Sequence, residues 1–302
     1  MNSSTIPICT SMSARLSLIV GILCISIFPI LVLVTPISGI SDAFYRMSIA
    51  TALIWPYVLI RRKWNGAVLQ YWKPIVICGI FFASDIAVWN LSFRYSSATQ
   101  ASLLTNLSPI WVGIWAFLFF PEKPTRYFWI GTALALVGLV LLMGVETFLT
   151  MQFDKGFLLA VLSGLFYAGY IVVSKTVLSK VSILSFMTCS MTVSSVYLLG
   201  MCLVMGEPLW GFEPRVWGLL TVQAVICQLL GWFAVSHALR SIDAQQVSLS
   251  LLSQAVVTGF LAWLLIDEKI TFQMMLGGII ILLGIAVTFR RSRNHGPAGD
   301  SV

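Results

Sequence analysis

Arg94-Tyr95-Ser96-Ser97-Ala98-Thr99-Gln100-Ala101-Ser102-Leu103 returns 146 positions later as Arg240-Ser241-Ile242-Asp243-Ala244-Gln245-Gln246-Val247-Ser248-Leu249. The same frame runs on to 140 and 286, where Gly113 meets Gly259, Ala116 Ala262, Leu118 Leu264 and Glu122-Lys123 Glu268-Lys269. Thr125 then meets Thr271, Gly131 Gly277, Leu136 Leu282 and Gly138 Gly284, which makes 14 identities in 47 ungapped columns. Apolar composition alone produces coincidences of Leu and Ala, but it does not align Arg, Gln, Glu-Lys and four Gly or Ser pairs in one register. The chain is an internal duplication.

Around this repeat the 302 residues are 59% hydrophobic and 10% charged, with mean hydropathy +0.95, against about 25% charged in soluble domains. Lipid must replace water around most of the chain. Apolar runs near the length of a spanning helix, about 20 residues, fall at about 14–35, 40–60, 73–93, 97–120, 126–144, 156–177, 183–205, 215–237, 244–266 and 271–289. Turn and charge signals separate them, among them Arg61-Arg62-Lys63, Pro121-Glu122-Lys123-Pro124, Glu207-Pro208 and Asp267-Glu268-Lys269. The connections are too short to hold an extramembrane domain. The stretch Leu16 to Val34 after Arg15 exceeds the roughly 7–15-residue core of a signal peptide and reads as the first span.

The expected fold is an all-α integral membrane protein of ten transmembrane helices. Five spans per half is an odd number, so the second half runs through the membrane inverted relative to the first. The expected units are residues 1–148, residues 149–290 and a polar tail, 291–302. With the N-terminus inside, Arg15, Arg61, Arg62, Lys63, Lys73, Lys123, Arg126, Lys175, Lys180, Arg240, Arg290, Arg291 and Arg293 lie on the cytoplasmic side, 13 of the 18 basic residues. Seven of the eleven acids fall on the other side. This bias places both termini in the cytoplasm. The net charge of +7 has this topological meaning, since the basic residues form no domain or motif for nucleic acid. The six cysteines show no CxxC or metal-ligand spacing.

Two inverted copies of one fold are the arrangement from which alternating access follows. A secondary-active carrier of a small molecule is therefore the leading reading, and an intramembrane enzyme or a non-transporting receptor or scaffold are the alternatives. The chain carries no GxSxG or HExxH, only His237 and His295 as histidines, and no pair of acids within a span to hold a metal. It lacks a P-loop, so neither a cofactor nor an ATP-binding subunit is implied. The energy source would be an ion gradient, protons among the candidates, or the solute's own gradient. The oligomeric state stays open.

The two segments Ala98–Lys123 and Ala244–Lys269 each have a small polar start, a mid-helix break or small residue, an aromatic-rich end and an acid-Lys turn. A Thr and a helix with glycines seven apart follow each. In these features the chain resembles the drug/metabolite transporter superfamily, and within it the ten-span EamA-type permeases, over about 15–290. The resemblance implies a metabolite carrier of the inner membrane, often an exporter of amino acids or toxic amphiphiles. Within that group the chain is similar to the aromatic amino-acid exporters of the YddG type, although no short motif here is diagnostic of substrate.

Polar groups deep in a bilayer are costly and tend to face the bundle interior or a cavity. Asp85 is the only carboxylate well inside a predicted span, and it shares a helical face with Trp89 and Phe82 by i, i+4 and i−3 spacing. It is the candidate for proton coupling or cation binding; a hydrogen-bonded structural Asp is the plainer alternative. Asn90 follows on the same span. Span four offers Gln100, Asn106, Ser108 and Trp111, and span nine offers Gln246, Ser250, Ser253 and Gln254. Under the 146-residue shift Ser108 corresponds to Gln254 and Asn106 to Leu252. A shared cavity lining competes there with ordinary interhelical hydrogen bonding. Span eight adds Gln223, Gln228, Trp232 and His237, the histidine near a helix end where it caps or snorkels, with a proton relay as the alternative. Phe28, Trp89, Trp111, Trp115, Tyr167, Tyr170 and Trp232 recur in these spans; many read as interfacial-belt or packing residues, and about a third of them would give such a cavity flat aromatic walls. Arg46 follows Asp42 by four residues, which reads either as a helix-start ion pair or as recognition of a substrate carboxylate. Pro29, Pro56 and Pro109 lie within spans one, two and four, so bending is expected mainly in the first half. Gly131…Gly138 and Gly277…Gly284 mark close helix packing, within one molecule or between two.

Overall fold

The structure is a computed structural model that describes residues 7–120, 123–267 and 269–289. Glu122, Glu268, Arg290, Arg291, Arg293, His295 and the tail 291–302 lie outside the described residues. Among those described, the chain is helical throughout, with no strand. Ten helices have the length and composition to cross a membrane: α1 (Met12–Leu33), α2 (Gly39–Ile60), α3 (Trp72–Ser92), α4 (Thr99–Phe119), α5 (Arg126–Met143), α6 (Lys155–Leu178), α7 (Ile183–Met205), α8 (Pro214–Ser241), α9 (Ala244–Ile266) and α10 (Phe272–Phe289). They fall on the ten predicted segments. The largest difference is α8, which runs on through Arg240 because a long basic side chain can reach the membrane surface from the last turn.

The helix starts follow from side-chain caps. Ser38, Ser97, Thr125, Asp154 and Ser182 each accept a hydrogen bond from the backbone N–H three residues on, a contact typically worth about 1 kcal/mol. The caps obey the repeat. Thr125 Oγ1 accepts from Phe128 N at 3.3 Å, and its counterpart Thr271 Oγ1 accepts from Met274 N at 3.2 Å. At the other end of a helix, α7 stops at Gly206, whose φ of +67° is the left-handed turn that glycine adopts without strain.

Helix α3 packs on α6 and α8 on α1, while α2 packs on α7 and α5 on α10. Exchanging each helix for its counterpart five places along maps this set onto itself, as two inverted copies of one five-helix fold require. The seam between α5 and α10 shows the symmetry at atomic scale. A Cβ added at Gly138 would lie 2.6 Å from Gly277 O, and one at Gly277 would lie 2.6 Å from Gly138 O. Gly131 and Gly284 oppose each other in the same way, at 2.5 Å in both directions. The glycine pairs thus pack within one molecule, antiparallel, each glycine facing the image of the other.

Arg15 of α1 lies over the Phe289 ring of α10 at 5.6 Å, so the two terminal helices share one end of the bundle. The connection carrying Arg61-Arg62-Lys63 and Lys175, whose Nζ donates to Ile242 O at 2.8 Å, belongs to that basic end. At the opposite end the connection after α7 is fastened to α2 and α3: Ser41 Oγ donates to Pro208 O at 2.9 Å, Tyr45 OH to Leu209 O, and Arg94 pairs with Glu207.

Four of the ten helices are irregular. In α1 a turn at Ile27 precedes the segment Phe28–Leu33, and in α4 the segments Ala98–Thr105 and Ser108–Phe119 are separate. Pro29 and Pro109 sit at the starts of the second segments, where a missing N–H is tolerated. Pro56 lies inside the unbroken helix Gly39–Ile60. The second half is no straighter, although its one proline within a span, Pro214, stands at the first residue of α8. Helix α9 breaks at Leu252, the counterpart of Asn106, where Ser250 Oγ and Ser253 Oγ donate to the backbone carbonyls of Gln246 and Ser250, both at 2.7 Å. Such back-bonding competes with the helix ladder. Residues Gln223–Gly231 of α8 are π-helical, a form enriched at functional sites.

Candidate functional site

The break in α4 places the first pieces of the site. Pro109 has no N–H to offer the Thr105 carbonyl four residues back, and Gly164 of α6 lets that carbonyl come close, since a Cβ there would lie 3.0 Å from it. Thr105 and Ser163 therefore meet, with their hydroxyl oxygens 3.2 Å apart. Ser163 Oγ donates to Asp85 Oδ1 of α3 at 2.5 Å. With the Ser163 proton committed to the carboxylate, the single Thr105 proton is shared between Ser163 Oγ and the Ala160 carbonyl, 3.3 Å away. Asp85 is thus buried, at 8% exposure, at the inner end of a hydroxyl chain from α6 and α4.

Asp85, Thr105, Tyr167 and Trp232 line two cavities of about 160 Å³ each. The first extends toward the end opposite the basic one and is bounded by Phe28 of α1, Asp42 and Arg46 of α2, and Phe82, Trp89 and Asn90 of α3. Asn90 Nδ2 donates to Ile86 O at 2.9 Å, and its side chain lies against Gly39, where an added Cβ would collide with Oδ1. The second cavity lies between the broken helices, with Asn106 and Ser108 from α4 and Ser248, Leu252 and Gln254 from α9. Both are at the junction of the two halves.

Three rings close the floor of the first cavity. Phe82 and Trp232 pack edge to face with centroids 4.8 Å apart, Tyr170 is 5.4 Å from Trp232, and Tyr170 is 4.8 Å from Phe82. Beyond them a void of about 10 Å³ is lined by Ser190, Ser194 and Gln228, room for at most one water. Trp232 touches all three spaces.

Of the predicted lining residues, Asp85, Trp89, Asn90, Tyr167 and Trp232 meet in the first cavity, and Asn106, Ser108 and Gln254 in the second. Gln228 faces only the small void. Trp111 packs against the main core, its Nε1 buried without a partner, and Ser250 turns its hydroxyl to its own helix; neither lines either of the two cavities that meet at Asp85. Gln100 also turns away, since Nε2 donates to Gln152 O at 2.8 Å and Oε1 accepts from Gln152 N at 3.3 Å. Thr105, Ser163 and Ser248 were not among the sequence candidates. A hydroxyl four residues before a proline, and another beside a glycine, are the only signals that single out the first two.

The profile of the EamA-like transporter family matches residues 12–144 and again 154–290. Among curated relatives, an uncharacterized transporter of Archaeoglobus fulgidus is 24% identical over 253 residues, covering 82% of this chain and 86% of its own. The pseudopaline exporter CntI of Pseudomonas aeruginosa is 24% identical over 254 residues, covering 83% and 86%. A crystal structure 17% identical in sequence superposes with a TM-score of 0.80 over 93% of this chain and 98% of the other, a likeness of fold alone. Ten apolar helices in two repeats, a shared internal cavity and these matches agree: the chain is a multi-pass membrane transporter of the EamA-like family, in the drug/metabolite transporter superfamily.

Proposed function

We propose that the protein is a secondary-active carrier that exports small amphiphilic metabolites, aromatic amino acids first among them, by alternating access between its two inverted repeats. The observation that supports this best is the meeting of two cavities at Asp85, Thr105, Tyr167 and Trp232, where the halves join. A site at that depth can be reached from either side if the halves exchange conformations. Aromatic walls with a few polar groups suit an amphiphile. The export direction is supported by the likeness to a pseudopaline exporter. In this reading both termini are cytoplasmic, the first cavity faces outward, the repeats meet in the connection after α5, the membrane is the inner membrane, and no chemical change accompanies transport.

Asp85 is the coupling group of this proposal, a buried carboxylate held by a hydroxyl chain and open to the cavity. The test is counterflow of radiolabelled amino acids, aromatic ones first, into liposomes containing the purified carrier. Saturable flux without chemical change is the expected result. Product formation, or no flux of any amino acid, overturns the reading.

A further inference from the structure

An Asp and an Arg one helical turn apart usually pair. In α2 they do not. Asp42 and Arg46 are 2% and 5% exposed and both line the first cavity, yet among the described residues no carboxylate lies within 4.0 Å of Arg46. Asp42 and Arg46 attract each other only across more than 4.0 Å, and Gln223 of α8 stands beside the Asp42 carboxyl group, but Asp42 Oδ1 and Arg46 Nε are each buried with no hydrogen-bond partner. The guanidinium instead lies over the Phe28 ring, 4.0 Å from its centroid, a contact that holds the planar fork in place. Two opposite charges are buried side by side, each incomplete. Such groups are costly until something completes them.

We propose that this turn of α2 is a clamp for the head group of an α-amino acid, with the substrate carboxylate on Arg46 and its ammonium on Asp42. The inference rests on the amino-acid reading above and deepens it. An α-amino acid carries its two charges on neighbouring atoms of one carbon, a spacing that suits side chains about 5–6 Å apart at their Cβ atoms. It enters the ion pair that the turn leaves unmade. The substrate side chain then lies along Trp89 and Tyr167, and Asp85, already held by Ser163, stays free of the head group. A simple amine leaves Arg46 unpaired beside it, and a simple acid leaves Asp42 unpaired. A site built for two charged groups rejects an analogue lacking either one.

The test uses the full-length carrier in liposomes, with labelled phenylalanine in counterflow. Phenylethylamine, which lacks the carboxylate, and 3-phenylpropionate, which lacks the ammonium, are the competitors. In the wild type each competes about 10- to 100-fold more weakly than phenylalanine, as loss of a charge-assisted hydrogen bond dictates. Arg46→Gln raises the KM for phenylalanine by a similar factor and removes its advantage over phenylethylamine. Asp42→Asn does the same with respect to 3-phenylpropionate, and Arg46→Lys recovers part of the loss. Equal competition by all three compounds in the wild type overturns the clamp without any variant, so the proposal does not depend on the variants folding. Variants that weaken all three compounds alike overturn it too. Saturable flux of some other solute with none of any amino acid overturns instead the amino-acid reading beneath it.

Discussion

The seam between α5 and α10 and the cavity beside α3 are built on opposite principles. At the seam the two halves contribute the same residues in the same places, Gly131 against Gly284 and Gly138 against Gly277. Around the first cavity they contribute different chemistry. Counting back from the Arg94–Arg240 match, Gly231 stands where Asp85 stands, and aligning the capping serines Ser38 and Ser182 puts Phe186 and Ser190 at the places of Asp42 and Arg46. All three Asp and Arg side chains of the cavity come from the first half; the second supplies Tyr167 and Trp232. In the alternating access proposed above, a symmetric frame would let the halves trade conformations, while asymmetric lining would keep one set of charges with the substrate whichever way the frame tilts.

The harshest way to break this comparison is at the seam. Gly138→Leu forces a side chain against Gly277 O, 2.6 Å from the added Cβ, and a backbone carbonyl cannot rotate away as a side chain can. Overpacking of a buried contact costs about 1–3 kcal/mol even where side chains yield, so we expect loss of monodisperse protein in detergent. Gly277→Leu should do the same, because the contact is reciprocal. Gly259→Ala is the control, with open space around its added Cβ. A Gly138→Leu protein as heat-stable as Gly259→Ala would show that the seam is looser than its geometry.

In the cavity the largest effect belongs to Asp85. Asp85→Asn keeps the shape of the side chain but removes its ability to carry a proton on and off. Accumulation driven by a proton gradient should vanish, while counterflow, which needs no gradient, persists. Proton-dependent accumulation at the wild-type level would take Asp85 out of coupling and leave it as a structural acceptor for Ser163.

The fold was legible in the chain because lipid imposes two simple constraints, a span length and a sign of charge at each end, and the residues between Arg94 and Val140 repeat closely enough to expose the duplication. The site was legible only along single regular helices. Phe82, Asp85 and Trp89 fall together because α3 keeps one helical phase. Trp111 and Ser250 belong to helices that break near 106–107 and at Leu252, where a count of 3.6 residues per turn no longer says which way a side chain points. Thr105 and Ser163 look like the many hydroxyls that membrane helices satisfy internally. Asp42 and Arg46 look like an ordinary intrahelical pair, and only the folded structure shows that they stay more than 4.0 Å apart.

A milder test probes what the second half adds. Trp232 borders both larger cavities and meets Phe82 and Tyr170 at its edges. Trp232→Leu keeps apolar bulk and removes the ring face. An aromatic contact is worth about 0.5–1.5 kcal/mol beyond burial, so the KM for phenylalanine should rise about 2- to 10-fold, with a smaller change for alanine. Equal shifts for both solutes would mean that Trp232 shapes the floor without touching the substrate.

The smallest effect lies in the connections, where the two ends of the bundle differ in charge. Arg94 pairs with Glu207 at one end. Its counterpart at the basic end is Arg240, and aligning the left-handed residues that follow α7 and α2, Gly206 and Arg62, puts Lys63 in the place of Glu207. Among the described residues the pair is therefore made at one end only. Arg94 is 54% exposed, and exposed ion pairs contribute about 0–1 kcal/mol, so Glu207→Gln should lower the thermal midpoint only slightly. High salt should erase the difference, since screening at 1 M acts within about 3 Å. Lys63→Glu offers Arg240 an acidic partner that it does not have among the described residues and should raise the midpoint by a similar amount if the pseudo-symmetry extends into the connections. A loss from Glu207→Gln that persists in high salt would mean that the hydrogen bonds of Ser41 and Tyr45 to this connection depend on the pair, and that the end opposite the basic one is fastened as a unit.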